Sequence, residues 1–387
     1  MSMRLPGKKE LALLGSFCFF LSAIEYMIPK PLPFLRIGIA NLPLMLALDI
    51  FPLPSFLILV CIKIIGQAII TGTLVSYIFI FSFLGTFLSA LLMFLLRRLF
   101  KDRITFVGIG TAGALVSNLS QLAFAHIFIF GESTRYIAPP FLAAGLVTGI
   151  MLGLFCEVFS HKSIWFREQK ISINRDDLKI ETKDEPEIEN PAPGINNIFG
   201  ANSLFAASLL IIPSFVFNPG TELRVIQFFF FLLLALIFKK KINVFSMFVV
   251  IASIIVFNLF IAHGRVLFSF GFIKVTSGAL RAGVHRAITL QGLFLISRVF
   301  IKEDLKIPGA FGKLLGASLY FFGRLMSRKI QIKRKNIIIN IDNMMLELNN
   351  EPVELTASYK IKTKPAGYLI LAVIVILSWL PWLSLII

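Results

Sequence analysis

Lys63 is the side chain in this sequence with the most chemistry to account for: a primary amine inside the apolar run 54–71, with Gln67 one helical turn later on the same face. A charge near the middle of a membrane span costs about 2.5–3.5 kcal/mol on insertion scales, so Lys63 has to face a polar cavity or a partner. Two readings stand. Lys63 and Gln67 meet an anionic or carbonyl-bearing substrate, or the lysine is paired internally or snorkels to an interface. Asn118 and Gln121 form a second polar pair, three residues apart, on a face that also carries Gly110, Gly113 and Ser117. Such a face lets a ligand approach closely, or lets another helix hydrogen-bond across a small-residue seam. His126 is rotated from that pair, and the other histidines, His161, His263 and His285, give no metal-ligand spacing. Asn41, preceded by Arg36, lies where the outer mouth of a pocket would be, and Glu25 is placed to pair with Arg36 or Lys30. The candidate substrate-binding set is therefore Asn41, Lys63, Gln67, Asn118, Gln121 and His126. Arg281 and Arg286, five positions apart on one apolar span, cannot share a narrow face. They are assigned to bracing a scaffold or facing a partner module.

These residues bind; nothing among them points to catalysis. No G-x-x-x-x-G-K-[ST] occurs, so any use of ATP falls to separate subunits, and no cofactor is expected on the chain itself. Asp176-Asp177 is followed by Leu-Lys-Ile, which does not make the aspartate-rich cluster that holds magnesium against a diphosphate. No HExxH motif is present, and the sequence offers no serine-histidine-acid arrangement. Cys18, Cys61 and Cys156 are far apart in apolar segments and read as buried thiols, neither a metal pair nor a disulfide framework.

The elements that must position these groups are membrane spans. The chain is 57% hydrophobic, with runs such as 228–238 and 368–377, more apolar surface than one soluble core hides. The fold class expected is all-α, a polytopic membrane protein. Six spans fall near 11–28, 34–51, 54–71, 74–96, 105–130 and 137–159, punctuated by prolines and glycines. Five more fall near 201–217, 223–238, 243–262, 277–297 and 366–387, giving about eleven. Arg4, Lys8 and Lys9 before the run 11–24 resemble a secretory signal. The lack of a small-x-small cleavage pattern, with further spans behind it, makes a retained first helix the expectation.

Between the blocks, residues 161–198 are rich in acids, with Pro191 and Pro193, and are expected to be a flexible cytoplasmic linker. A second cytoplasmic stretch, 302–364, carries Lys313, Arg324, Arg328, Lys333 and Arg334. Within it Phe311, Leu314, Leu315, Leu319, Phe322 and Leu325 recur at helical spacing, which predicts an amphipathic helix on the membrane surface, either an anchor or a docking helix for a soluble partner. A cytoplasmic N-terminus puts nearly all the basic loop residues inside, as the positive-inside rule asks. The formal charge of +17 is thereby explained without nucleic acid, since the phenylalanines lie inside apolar runs and no basic aromatic face appears.

Residues 33–43, Pro-Phe-Leu-Arg-Ile-Gly-Ile-Ala-Asn-Leu-Pro, resemble the start of the family called heptaprenyl diphosphate synthase component I, or Gx transporter. Lys63, Gly66, Thr71-Gly72-Thr73, Ser82, Gly85, Ser89 and Met93 look like its middle, and Gly113, Ala114, Asn118, Gln121 and Ala125 like its fifth helix. The resemblance covers about residues 10–160. That family is similar to the substrate-binding S components of energy-coupling-factor transporters, six-helix membrane proteins that capture a vitamin-like small molecule. Where S components carry Ala-x-x-x-Ala on the first helix for docking, this chain has Gly15, Ser16, Ser22 and Ala23 at other spacings. Residues 199–387 resemble the T component, the scaffold of the same machines: residues 218–224, Asn-Pro-Gly-Thr-Glu-Leu-Arg, look like its helix entry, and Leu280-Arg281-Ala282-Gly283 with Arg286 like its arginine-bearing helix.

The resemblance implies substrate capture by residues 1–160, coupling through Arg324, Arg328 and Arg334, and two ATP-binding-cassette subunits in trans, in a bacterial cytoplasmic membrane. The substrate expected is vitamin-like or related to quinones and isoprenoids. Two alternatives remain: a membrane accessory subunit of isoprenoid or quinone biosynthesis, and a secondary transporter.

Overall fold

The computed structural model describes residues 7–27, 38–172, 181–182, 198–218, 220–240, 242–261, 263–270, 273–302, 305, 307–328, 337–350, 354–355 and 363–383. It is an all-α membrane protein with little sheet. In the first block α1 (Lys8–Met27) is followed by a 3-10 turn (Ile39–Asn41), α2 (Leu42–Ala47), α3 (Leu53–Ile70), α4 (Tyr77–Phe100), α5 (Phe106–Ala125) and α6 (Thr134–Lys162). The second span expected, 34–51, is therefore not a membrane-length helix among its described residues. Gly38 at φ +85° and prolines at 43 and 52 leave room for a 3-10 turn and six helical residues, all six buried.

Residues 106–162 are apolar enough to count as one candidate membrane stretch, alongside 53–70, 77–100 and 365–382. They are nevertheless a folded-back pair. A π-turn (His126–Phe130) and Gly131 at φ +56° reverse the chain, and α5 then packs along α6 so closely that a methyl group placed on Gly110 would lie 2.7 Å from the Gly149 carbonyl oxygen. The side chain of Thr105 caps α5 by accepting from Gly108 N (3.3 Å), and Glu157 on α6 accepts from Phe106 N (3.0 Å).

The charged connection is not uniformly a tether. Its first part is α7 (Ile164–Ser172), with Trp165 and Phe166 buried. Its N-terminus is capped from the far end of the chain: Asp342 accepts from Ile164 N (2.9 Å), from Trp165 N (3.1 Å) and from the Ser163 hydroxyl. Sequence reading missed this helix because it is short and its cap is remote. Of residues 173–198, all but 181, 182 and 198 lie outside the described residues; Glu181–Thr182 (β1) pairs in parallel with Glu354–Leu355 (β4).

The second block comprises α8 (Ala201–Val216), α9 (Thr221–Ile237), α10 (Val244–Leu259), an antiparallel hairpin of β2 (Val266–Phe270) and β3 (Ile273–Thr276), α11 (Ser277–Phe300), α12 (Gly309–Arg328), α13 (Ile337–Asn350) and α14 (Pro365–Leu383). Its core is phenylalanine-rich, with Phe199, Phe215, Phe228, Phe231 and Phe300 buried against Leu295, Ile296 and Ile374. A buried polar hub ties α8, α9 and α11 together. Arg224 donates to the Thr289 hydroxyl (2.6 Å), to the Val216 carbonyl (2.9 Å) and to the Asn218 carbonyl, and contacts His285 Nε2 (2.6 Å).

The amphipathic helix forms where expected, as α12, but its apolar face is covered by protein. Leu314, Leu315 and Leu325 are buried in the same core as Leu11, Leu14 and Phe17 of α1. Gly15 seats Ser318, and four residues on Phe19 meets Phe322 with ring centroids 6.1 Å apart, so the two helices run side by side in the same direction. A β-carbon at Gly15 would lie 2.6 Å from Ser318 Oγ and 2.9 Å from Ile62 Cγ2. Gly15→Leu is accordingly expected to prise α12 off α1. The check is disulfide cross-linking between Phe19→Cys and Phe322→Cys, whose yield should collapse when Gly15→Leu is added.

The two blocks also meet at α11. Val75, in the α3–α4 connection, donates its N–H to Ser297 Oγ (3.3 Å). In the α5–α6 connection the Ile129 carbonyl accepts from Asn258 Nδ2 (3.2 Å), and Arg286 Nη1 donates to Asn258 Oδ1 (2.7 Å). Both connections belong to one end of the antiparallel bundle α3–α6, yet they touch α11 near positions 286 and 297, about 16 Å apart at 1.5 Å per residue. The same end of the bundle thus meets the α10–α11 face at two places.

Candidate functional site

Five of the six candidate substrate residues converge on one cavity. Asn41, Lys63, Gln67, Asn118 and Gln121 line it, together with Glu25, Ser82, Thr86, Ser89, Met45 and Met93, while α5 and α6 close one side through Gly110, Ala114 and Gly149. The partly open void is about 40 Å³, space for a few water-sized groups.

Each contributor is placed by a local feature of its element. The chain break at Gly38 brings Asn41 against the middle of α3, where Lys63 Nζ donates to Asn41 Oδ1 and to Thr86 Oγ1 on α4 (3.2 Å). Lys63 is 3% exposed and Glu25 is 4% exposed, so the cavity holds one buried cation and one buried carboxylate side chain within protein. Asn118 spans the α5–α6 seam and donates to the Phe141 carbonyl (2.9 Å); a β-carbon at Gly145 would occupy its place. Its amide nitrogen is thus committed to interhelical bonding, the competing reading of that pair. Gln121 donates from Nε2 to Ser117 Oγ (2.9 Å) and Ser117 O (3.2 Å), leaving Oε1 buried without a partner. Gln67 Oε1 and Ser89 Oγ are also buried without one.

His126 stands apart from this cavity. It opens the π-turn, its side chain is half exposed, and Nε2 lies 3.9 Å from Glu132. The rotation away from Asn118 and Gln121 that the sequence shows is carried further by the wider turn. Among the described residues no group of three His, Cys, Asp or Glu side chains is placed to hold a metal ion. Lys30 and Arg36 lie outside the described residues, and with them the pairing expected for Glu25.

Of the scaffold arginines, Arg286 braces the two blocks through Asn258, and Arg281 is exposed on α11. Arg324 is exposed on the face of α12 turned away from α1, Arg328 is the last residue of that helix, and Arg334 lies outside the described residues. Thr86, Ser82 and Met45 were not among the candidates. Hydroxyls and thioethers are cheap in an apolar helix, so they carry little signal in a sequence.

Lys63→Met is expected to weaken ligand binding by about tenfold or more, the loss of one charged hydrogen bond, while sparing the fold, since it removes a buried charge and Asn41 and Thr86, among its partners, are free to re-pair. Ligand titration and the unfolding midpoint of the same preparation test both halves of that statement.

Residues 14–159 match the family model of heptaprenyl diphosphate synthase component I, and residues 203–303 match that of a domain of unknown function (DUF8519). Comparison with curated proteins and with solved structures gives no match.

Proposed function

We propose that the family domain at residues 14–159 is the substrate-capturing half of an ATP-driven uptake system, and that residues 199–387 are its membrane scaffold. The carrying observation is the cavity, where polar groups from α3, α4 and α5 converge between helices that are otherwise apolar, with acceptors left open. A binding site of this kind needs no catalytic group.

The arrangement of the blocks supports the transport half of the reading. On this reading α11 stands upright in a bilayer with the bundle α3–α6 tipped against it, and α1 lies along α12, the helix expected at the cytoplasmic surface. A bundle that captures solute from outside has to stand upright to do so. The cycle is then a population shift between an upright, loading bundle and a toppled, releasing one. The narrow void fits the releasing state. Two ATP-binding-cassette subunits in trans would supply the differential binding energy, gripping the outer face of α12 and the basic stretch beyond it through Arg324, Arg328 and Arg334. On this reading the chain has six plus five membrane elements, with α2 as a half-length piece, the N-terminus inside and the whole in a bacterial cytoplasmic membrane.

The test is reconstitution. Purified chain in proteoliposomes should bind substrate without ATP and accumulate none until the ATPases are added; accumulation by the chain alone would end the reading. The family's description favours a second reading, a membrane accessory subunit of isoprenoid or quinone biosynthesis. Co-purification separates the two: ATP-binding-cassette subunits support the first, a soluble prenyltransferase the second.

A further inference from the structure

The protein leaves part of the cavity's hydrogen-bonding capacity open, and the pattern of what is open describes a ligand. Gln121, 2% exposed, commits its amide nitrogen to Ser117, which fixes the amide's orientation and turns Oε1 loose. Ser89, 1% exposed, and Gln67 contribute the other two unpaired atoms. The three come from α5, α4 and α3 and line the same void. Buried polar groups in a purely structural seam find partners. Two unmet amide oxygens and a hydroxyl without a partner around one void point to donors that arrive from outside. A ligand that enters has to bring N–H or O–H groups to the same points.

Charge narrows the class. Among the described residues the lining contains one lysine and one glutamate and no arginine. A multiply charged diphosphate buried there would need a cluster of cations, and neither basic side chains nor a metal site among the described residues supplies one. Met45 and Met93 add the third element, since thioethers pack well on aromatic rings.

We infer that this site takes a compact, uncharged, flat heterocycle that offers N–H donors on its edge to Gln67 and Gln121 and a carbonyl toward Lys63, and that it rejects isoprenyl diphosphates. The inference rests on the capture reading above and specifies its substrate.

Native mass spectrometry of the full chain, gently extracted from cells, weighs what it carries; uracil, hypoxanthine and geranyl diphosphate, each at millimolar concentration, are then added as probes in thermal unfolding. A phosphorus-free heterocycle bound to the native chain, or a stabilising shift with uracil or hypoxanthine and none with geranyl diphosphate, is the expected result. Gln67→Met and Gln121→Met should lower that occupancy at least tenfold while the unliganded unfolding midpoint holds or rises, because each removes an unmet acceptor. Ser89→Ala gives a milder variant should Gln67→Met or Gln121→Met fail to fold. A phosphorylated ligand, a ligand retained unchanged by all three variants, or unliganded midpoints that fall in all three would overturn the inference and leave the capture reading standing. No bound species and no shift with any probe would sink both.

Discussion

Gly149→Leu is expected to destabilise the first block by at least about 1–3 kcal/mol, the usual range for overpacking, and to abolish ligand binding with it. A β-carbon at 149 would sit 2.8 Å from the Gly110 carbonyl oxygen, 2.9 Å from the Ala114 methyl and 3.0 Å from the Thr111 Cα. Two of these neighbours are main chain, so no rotamer change relieves them and the α5–α6 seam has to open. Because Gly110, Ala114, Asn118 and Gln121 line the cavity from α5 while Gly149 and Thr148 line it from α6, opening the seam dismantles the site. Unfolding midpoint and ligand titration on the same sample make the check. A variant unchanged in both would mean that α5 and α6 do not touch there.

Arg224→Ala is expected to be the most damaging single change in the second block, on the order of 3 kcal/mol or more. Arg224 is 4% exposed, and its guanidinium serves two main-chain carbonyls, the Thr289 hydroxyl and His285 at once. Truncation strands those partners in an apolar interior, where each unsatisfied group costs about 1–3 kcal/mol. Arg224→Lys should rescue little, because one ammonium cannot reach partners arranged around a planar fork. The measurement is folded yield and unfolding midpoint in detergent; a mild effect would place the arginine in contact with water, contrary to its burial.

The positions of the helices were legible in the sequence because apolar runs bounded by prolines, glycines and charges leave few alternatives. Helices α8 to α11 and α14 fall within a few residues of the spans expected for them. The exception, 34–51, has enough apolar residues for a span; backbone chemistry at Gly38, Pro43 and Pro52 decided otherwise. Asn41, Lys63, Gln67, Asn118 and Gln121 stood out for a physical reason: a large polar group inside an apolar helix is expensive, so its presence asks for a purpose. Thr86 passes unnoticed because a hydroxyl can satisfy itself on its own helix. What covers α12 was not legible at all. Periodicity reveals that a helix has an apolar face, and only the three-dimensional structure shows that α1 covers it.

The joining of both blocks in one polypeptide has a consequence for how such a machine is deployed. A capture module that is a separate protein competes with other modules for a common scaffold, and the cell sets the outcome by expression. On the proposed reading, re-docking of α1 on α12 would be an intramolecular event, and linkage of this kind supplies effective concentrations in the millimolar range. The contact between them would then need no great strength to survive repeated cycles, and capture half and scaffold would stay at one to one whatever else the membrane contains.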